Sequence, residues 1–189
     1  MKGYTSETIR NVALLGHGGC GKTTFLESAL FETGVITRLG KVEDGNTVSD
    51  YDKMEIEKGY SINTSIVPIE WKGSKINFID TPGYFDFIGE VNAALRAAEA
   101  AVIMVDAGAG IQVGTEQAWN ACERYKKPRF IVINKRDKDE FDFYKTFDEL
   151  KAKFGDALIP FSWPLTAEID EGLKEAIAMT DDALMDKYF

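Results

Sequence analysis

The chain has 189 residues, of which 44% are hydrophobic, and a formal net charge of −9. This length suits one domain, or one domain with a small insertion, and the apolar content is enough for a sizeable core. No apolar run approaches the roughly 20 residues of a membrane span, and the first residues lack the apolar segment of a signal peptide. The acidic balance argues against this segment alone gripping nucleic acid through a broad basic surface, but it does not exclude local basic contacts.

Stretches rich in β-branched and apolar residues alternate along the chain with stretches of helical periodicity. Predicted strands lie at residues 9–15, 62–71, 75–80, 101–106 and 130–134, and predicted helices at residues 24–31, 88–98, 118–125 and 143–154. The strands at 101–106 and 130–134 are apolar on both faces, as buried parallel strands are. The alternation predicts an α/β fold, with a mostly parallel sheet and helices on both faces.

The second predicted strand is expected at an edge of this sheet. Pro68 lies inside it and has no N–H to donate to a neighbour. Only a short turn separates it from the third strand, so the two are predicted to form an antiparallel hairpin. Before it, residues 33–59 show no clear periodicity and are rich in charge and glycine, which predicts a long functional or mobile loop.

Residues 16–23, GHGGCGKT, match the phosphate-binding pattern G-x-x-x-x-G-K-[ST] between a predicted strand and a predicted helix. Glycines let backbone N–H groups approach an anion closely, and the helix N-terminus faces the same anion. Lys22 is expected to reach the β- and γ-phosphates, and the Thr23 hydroxyl to bind Mg²⁺. The predicted nucleotide-binding residues here are Gly18, Gly19, Cys20, Gly21, Lys22, Thr23 and Thr24.

A second signal, Asp80-Thr81-Pro82-Gly83, follows the third predicted strand. A carboxylate at a strand end can hold Mg²⁺, usually through water. Gly83 offers a backbone N–H to a γ-phosphate with no side chain in the way. An ordinary Pro-Gly turn is the alternative for these four residues alone. The phosphate-binding pattern upstream favours the nucleotide site.

A third signal, Asn134-Lys135-Arg136-Asp137, ends the fifth predicted strand. The Asp137 carboxylate can accept hydrogen bonds from guanine N1–H and the exocyclic amine, whereas adenine presents a lone pair at N1. A polar site left unpaired in this way discriminates strongly between bases. The stem of Lys135 can lie along the base plane, and Asn134 can hold neighbouring loops.

These motifs together resemble those of the GTPase superfamily and, within it, the translational GTPases, most similarly elongation factor G and its relatives. The resemblance spans nearly the whole chain and rests on residues 16–24, 52–62, 80–91 and 134–137. It implies a P-loop GTPase fold, GTP or GDP and Mg²⁺ as ligands, and GTP hydrolysis. It also places Ser61 where the family has a Thr that binds Mg²⁺ from the first switch loop.

The chain departs from the family pattern at two positions in these motifs. Gly19 stands where elongation factor G has an Asp that can help bind a monovalent cation. Tyr84 stands where the family usually has a His that positions the attacking water. The resemblance thus implies catalytic roles for Lys22, Gly83 and Tyr84, with slow hydrolysis and retained nucleotide binding.

The end of the chain allows two interpretations, because no Ser-Ala pair follows Asp137 to complete the base pocket. Residues 1–155 are expected to form the GTP-binding domain. In one interpretation, 156–189 supply its last strand, at 157–163, and its last helix, at 168–187. In the other, 156–189 resemble the inserted subdomain of elongation factor G, and the base loop lies beyond Phe189.

The expected function is that of the GTP-binding domain of an elongation-factor-G-like translational GTPase. The ribosome is the implied partner, through a longer protein. A regulatory nucleotide switch, whose function is GTP binding rather than hydrolysis, is the alternative. The Asn-Lys-x-Asp loop argues against a small-molecule kinase. Cys20 and Cys122 have no disulfide or zinc spacing, which favours a reduced, cytoplasmic setting.

Overall fold

The computed structural model of the protein describes residues 3–135, 143–156, 158–162, 171–179 and 185. The chain divides into two units, residues 1–141 and 142–189. The first contains a five-stranded sheet. Its strands are β1 (Ile9–Gly16), β2 (Ser65–Trp71), β3 (Ser74–Asp80), β4 (Ala100–Asp106) and β5 (Arg129–Asn134).

The sheet has the strand order β2-β3-β1-β4-β5. β1 pairs in parallel with β3 and with β4, and β4 pairs in parallel with β5. β2 is antiparallel to β3 and has no second neighbour in the described part of the chain, so the missing N–H of Pro68 is tolerated at this edge. The predicted mostly parallel sheet with one antiparallel edge strand is confirmed.

The helices of the first unit are α1 (Lys22–Glu32), α2 (Lys53–Lys58), α3 (Ile88–Ala97) and α4 (Val113–Arg124), with a 3-10 turn at Phe85–Phe87. Those of the second are α5 (Phe143–Phe154) and α6 (Glu171–Ala178). On one face of the sheet, Leu14 of β1 packs against Leu26 and Leu30 of α1. Its neighbour Leu15 points to the other face, where it lines a small cavity with residues of α3 and α4. Helices therefore cover both faces, as predicted.

The parallel arrangement gathers the carboxyl ends of β1, β3, β4 and β5 at one edge of the sheet. In open α/β sheets, ligands bind at this edge. The three motifs singled out in the sequence follow β1, β3 and β5, so the fold brings them to the same side of the molecule.

The region from residue 33 to β2 differs from its prediction in two ways. It contains α2, which begins with a capping box between Asp52 and Glu55 and has only six residues, too few to show a period. β2 begins at Ser65 rather than at residue 62. The reason is that the backbone N–H groups of Ile62 and Asn63 donate to the Glu55 side chain and not to a neighbouring strand.

The C-terminal region is described only in part. Residues 158–162 are not in a strand, and α6 lies within the range predicted for a last helix. Residues 157 and 163–170 lie outside the described residues. Both interpretations of residues 156–189 therefore stay predictions.

Candidate functional site

The phosphate loop, residues 16–23, connects β1 to α1 and owes its shape to glycine. Gly16, Gly19 and Gly21 have φ values of +139°, +76° and +96°, a region that other residues rarely adopt. A Cβ on Gly16 would lie 2.5 Å from the Met104 carbonyl oxygen of β4, so the loop leaves the sheet too closely for any side chain there. Glycine conformations of this kind let a loop turn backbone N–H groups toward an anion at the start of α1.

Lys22, the first residue of α1, folds back over the phosphate loop. Its Nζ donates to the carbonyl oxygens of Gly16 and His17, both at 3.1 Å, and the residue is 6% exposed. The two carbonyl acceptors carry no net charge, although burial makes a charged partner favourable for an ammonium. An anion seated in the loop would supply that charged partner.

Gly83 lies directly against this ammonium and the loop. A Cβ on Gly83 would come within 2.5 Å of Lys22 Nζ and 2.7 Å of the Gly18 backbone nitrogen. The second motif, which is more than sixty residues away in sequence, therefore reaches the phosphate loop. The absent side chain leaves the approach between Gly83, Gly18 and Lys22 open.

Three predicted metal-binding groups converge beside Lys22. The Thr23 hydroxyl donates to Asp80 Oδ2 at 3.2 Å and lies 3.5 Å from the Ser61 hydroxyl. Asp80 is 1% exposed, and its Oδ1 has no hydrogen-bond partner among the described residues. Burial raises the pKa of Asp80 to about 6, with the Lys22 ammonium acting in the opposite direction.

This donor set fits Mg²⁺. A hard divalent cation prefers oxygen ligands, and the site offers two hydroxyls and a buried carboxylate with one unpaired oxygen. Among the described residues, no group of three or more His, Cys, Asp or Glu side chains could hold a metal ion. The fit therefore depends on the two hydroxyls as much as on the carboxylate.

Asp50 is a site residue that the sequence analysis did not find. Its Oδ1 accepts from the Ser61 hydroxyl at 2.7 Å, it is 5% exposed, and burial raises its pKa. It belongs to the switch segment, residues 33–64, which joins α1 to β2. Its contact with Ser61 depends on how the switch segment folds, and no local motif marks it.

The third motif is tied to the phosphate loop by side chains. Asn134 Nδ2 donates to the Cys20 carbonyl oxygen at 3.1 Å. Lys135 Nζ donates to the Gly19 carbonyl oxygen at 2.5 Å and to Asp106 Oδ2 at 2.8 Å. Asp137, the predicted guanine-binding residue, lies outside the described residues, so its role stays a prediction.

Tyr84 lies across the phosphate loop. A Cβ on Gly18 would come within 3.0 Å of the Tyr84 ring, and the ring of Tyr60 packs edge-on against it with centroids 4.7 Å apart. The Tyr84 ring thus contacts both the phosphate loop and the switch segment.

Cys20 is buried, and burial raises the pKa of its thiol, which fits a packing role better than a reactive thiolate.

Within the described residues, no helix is both long enough and apolar enough to cross a membrane.

A family model described as "Elongation factor Tu GTP binding domain" matches residues 7–186. This match covers nearly all of the chain, including all three motifs.

Individual relatives agree with the family model. The chain is 44% identical over 162 residues to an elongation factor G of Granulibacter bethesdensis, with 86% of this chain and 23% of that protein covered. It is 38% identical over 171 residues to a mitochondrial ribosome-releasing factor 2 of Drosophila willistoni, with 90% and 23% covered. The chain thus spans about a quarter of the length of these relatives.

A solved structure shows the same fold. The crystal structure of ttk003000868 from Thermus thermophilus matches with a TM-score of 0.85 and 35% sequence identity, covering 96% of this chain and 33% of that one.

Proposed function

The chain belongs to the elongation factor Tu GTP-binding domain family, and from that premise we propose that it binds GTP and GDP with Mg²⁺ and hydrolyses GTP. One observation carries the proposal: Thr23, Ser61 and Asp80, predicted separately as Mg²⁺-binding residues, meet at the mouth of the phosphate loop. Hydroxyl and carboxylate oxygens beside a phosphate-binding lysine suit a nucleoside triphosphate with its cation.

Each group has a distinct role in this proposal. Lys22 and the loop N–H groups bind the β- and γ-phosphates. Thr23 and Ser61 would hold Mg²⁺ directly, and Asp80 would hold it through water. When bound, Mg²⁺ neutralises charge on the β- and γ-phosphate oxygens. Asn134 and Lys135 hold the phosphate loop by hydrogen bonds to its carbonyl oxygens, and Asp137 binds the guanine base.

Hydrolysis requires a water held in line with the γ-phosphorus, near Gly83 and Tyr84. Water attacks the phosphorus, the bond to the β-phosphate oxygen breaks, and GDP and inorganic phosphate form. Lys22 stabilises the charge that develops on the leaving oxygen. Because phosphoryl transfer depends on positioning and electrostatics, Tyr84 in place of an imidazole makes slow intrinsic hydrolysis the expected behaviour.

The partners of the whole protein follow from its relatives. Since relatives four times longer include elongation factor G, we propose that this domain acts on the ribosome as part of a longer protein in the cytoplasm. Another relative is described as mitochondrial.

A regulatory switch is the second candidate, favoured by the contact between Tyr60 and Tyr84. This contact links the switch segment to the second motif, so a change in either is transmitted to the other without hydrolysis. Single-turnover hydrolysis of GTP with and without ribosomes separates the two candidates. A rate that ribosomes do not raise favours the switch.

The guanine assignment tests the proposed function directly. Calorimetry in the presence of Mg²⁺ is expected to show GTP and GDP binding and little ATP binding. Asp137→Asn is expected to weaken GTP binding and to favour xanthosine triphosphate, because the amide offers a donor to the 2-oxo group. Equal affinity for ATP and GTP, or full guanine affinity in the variant, would contradict the assignment.

A further inference from the structure

Glu55 of α2 is a buried carboxylate with partners on every side. It is 2% exposed. Its Oε1 accepts from the backbone N–H groups of Ile62 and Asn63, both at 2.9 Å, and its Oε2 accepts from the Asp52 N–H at 3.3 Å. Its backbone carbonyl accepts from the Gly59 N–H at 2.7 Å.

These bonds enclose Tyr60 and Ser61. Gly59, immediately before them, is held by the Glu55 backbone and takes the left-handed conformation that ends α2. Ile62, immediately after them, is held by the Glu55 side chain. With both flanks fixed to one residue, the two side chains between them have little freedom to turn away.

Both enclosed side chains lie at the nucleotide site. The Ser61 hydroxyl donates to Asp50 and lies 3.5 Å from the Thr23 hydroxyl. The Tyr60 ring packs against Tyr84. Glu55 therefore holds the backbone on either side of the hydroxyl that faces Thr23.

Among the described residues, two carboxylates from outside the switch segment also bind its backbone. Glu27 of α1 accepts from the Gly40 and Val48 N–H groups, and Glu90 of α3 accepts from the Thr64 N–H. Neither encloses Ser61 between two points of attachment. Of the three, Glu55 is the one that bonds the backbone on both sides of Ser61, while Asp50 accepts from the Ser61 hydroxyl itself.

We propose that Glu55 is a positioning residue that sets the Mg²⁺ dependence of GTP binding by holding the Ser61 hydroxyl toward the metal. The proposal rests on the proposed function, in which Ser61 joins the metal site in the GTP state. GDP binding depends on the phosphate loop and not on Ser61. Loss of Glu55 is therefore expected to affect the GTP complex selectively.

The test compares three variants of the full chain. Glu55→Ala removes every side-chain bond. Glu55→Gln keeps an oxygen for Ile62 and Asn63 but points an amide N–H₂ at the Asp52 N–H. Asp52→Ala is the matched control, because it removes the other half of the same capping box, the bond to the Met54 N–H at 2.8 Å, and does not touch residues 59–63.

Two readouts are measured. Mg²⁺ is titrated into complexes with a non-hydrolysable GTP analogue and with GDP, and amide hydrogen exchange is followed in the nucleotide-free chain. Glu55→Ala is expected to need about tenfold more Mg²⁺ for the GTP analogue. It should leave the GDP complex unchanged and speed exchange at Ile62 and Asn63. Glu55→Gln should be intermediate, and Asp52→Ala should match the wild type in both readouts.

An unchanged Mg²⁺ requirement in Glu55→Ala, an equal loss for GDP, or an equal effect of Asp52→Ala would overturn the proposal. If Glu55→Ala does not fold, Glu55→Gln decides by the same criteria. A wild-type chain that binds neither nucleotide refutes the proposed function separately and the Mg²⁺ role with it. Unchanged exchange at Ile62 and Asn63 refutes the positioning role by itself.

Discussion

The phosphate loop and the switch segment lie side by side at the nucleotide site but are held in different ways. The phosphate loop takes its shape from backbone conformation: glycines with positive φ and a carbonyl packed within 2.5 Å of a would-be Cβ. The switch segment is held by carboxylates of Glu27, Glu55 and Glu90, which bind its backbone N–H groups from three helices.

The two regions are therefore expected to respond differently to substitutions and to ligand binding. A loop built by backbone sterics tolerates few substitutions but keeps its shape with or without ligand. A segment held by a few charge-assisted hydrogen bonds can be released by the loss of one partner. The first arrangement suits a fixed phosphate site, and the second suits a region that responds to the nucleotide.

The largest predicted effect concerns Asp80, whose carboxylate accepts a hydrogen bond from Thr23 at the end of the phosphate loop. Its folded pKa of about 6 exceeds the ordinary value of 3.8, so the folded chain binds the proton more tightly than the unfolded chain does. Its contribution to stability is fully present below about pH 4 and is lost as pH rises through 6. The loss amounts to about 3 kcal/mol in the metal-free protein.

The amide of the Asp80→Asn variant does not titrate. The free energy of unfolding of the variant, measured relative to that of the wild type, is therefore expected to rise by about 3 kcal/mol between pH 4 and 7.5. Urea unfolding in EDTA measures this difference, and other titrating groups cancel from it. Mg²⁺ with GTP should reduce the advantage, because a neutral amide binds a divalent cation less well. A difference that does not vary with pH would contradict the assignment.

Lys22→Ala tests the phosphate loop as a charged site. The lost charge-assisted contact is expected to cost about 1.5–3 kcal/mol, or roughly 10- to 150-fold in affinity for GTP and GDP alike. Ser28→Ala is a control on the exposed side of the same helix, away from the phosphate loop. Isothermal titration calorimetry measures both, and equal affinity of the wild type and Lys22→Ala would remove Lys22 from the site.

The contrast between the regions also explains what the sequence could predict. The phosphate loop, Asp80 and Gly83 are marked by local motifs, because glycine positions and strand ends are local properties. Pro68 predicted the edge strand for the same reason. Asp50 and the role of Glu55 were not predicted, since each acts on residues that are distant in sequence or that form no regular element. The short helix α2 carried a capping box but no periodicity.

A pair of glycine substitutions sharpens the claim that the phosphate loop is held by its backbone. The Cβ added by Gly19→Ala has no atom within 4 Å, so only the positive φ of this position lowers the stability of the variant, by about 1–2 kcal/mol. Gly21→Ala has the same strain and also meets the Asn134 amide, so it is expected to cost about 1 kcal/mol more through the lost bond to Cys20. Thermal unfolding measures the stability of both variants. An equal loss of stability in the two would show that Asn134 does not hold the phosphate loop in place.

Tyr84→His is expected to have the smallest effect on binding and a positive effect on rate. A neutral phenol is a weaker proton acceptor than an imidazole, and its oxygen lies further from the backbone than the imidazole nitrogens do. The Tyr84 ring rests on Gly18 and Tyr60. A shorter ring should therefore place a water better and cost little packing.

GTP turnover of the full-length protein with ribosomes is the measurement, alongside GTP affinity. Tyr84→Phe is the matched control: it keeps both ring contacts and removes the hydroxyl. A rise in rate for Tyr84→His, with affinity within about threefold and Tyr84→Phe like the wild type, means that the ring is a spacer between the two regions. A large fall in rate for both variants would instead make the Tyr84 hydroxyl part of the catalytic machinery. Tyr84 would then belong functionally with Lys22 and the phosphate loop rather than with the contact to Tyr60.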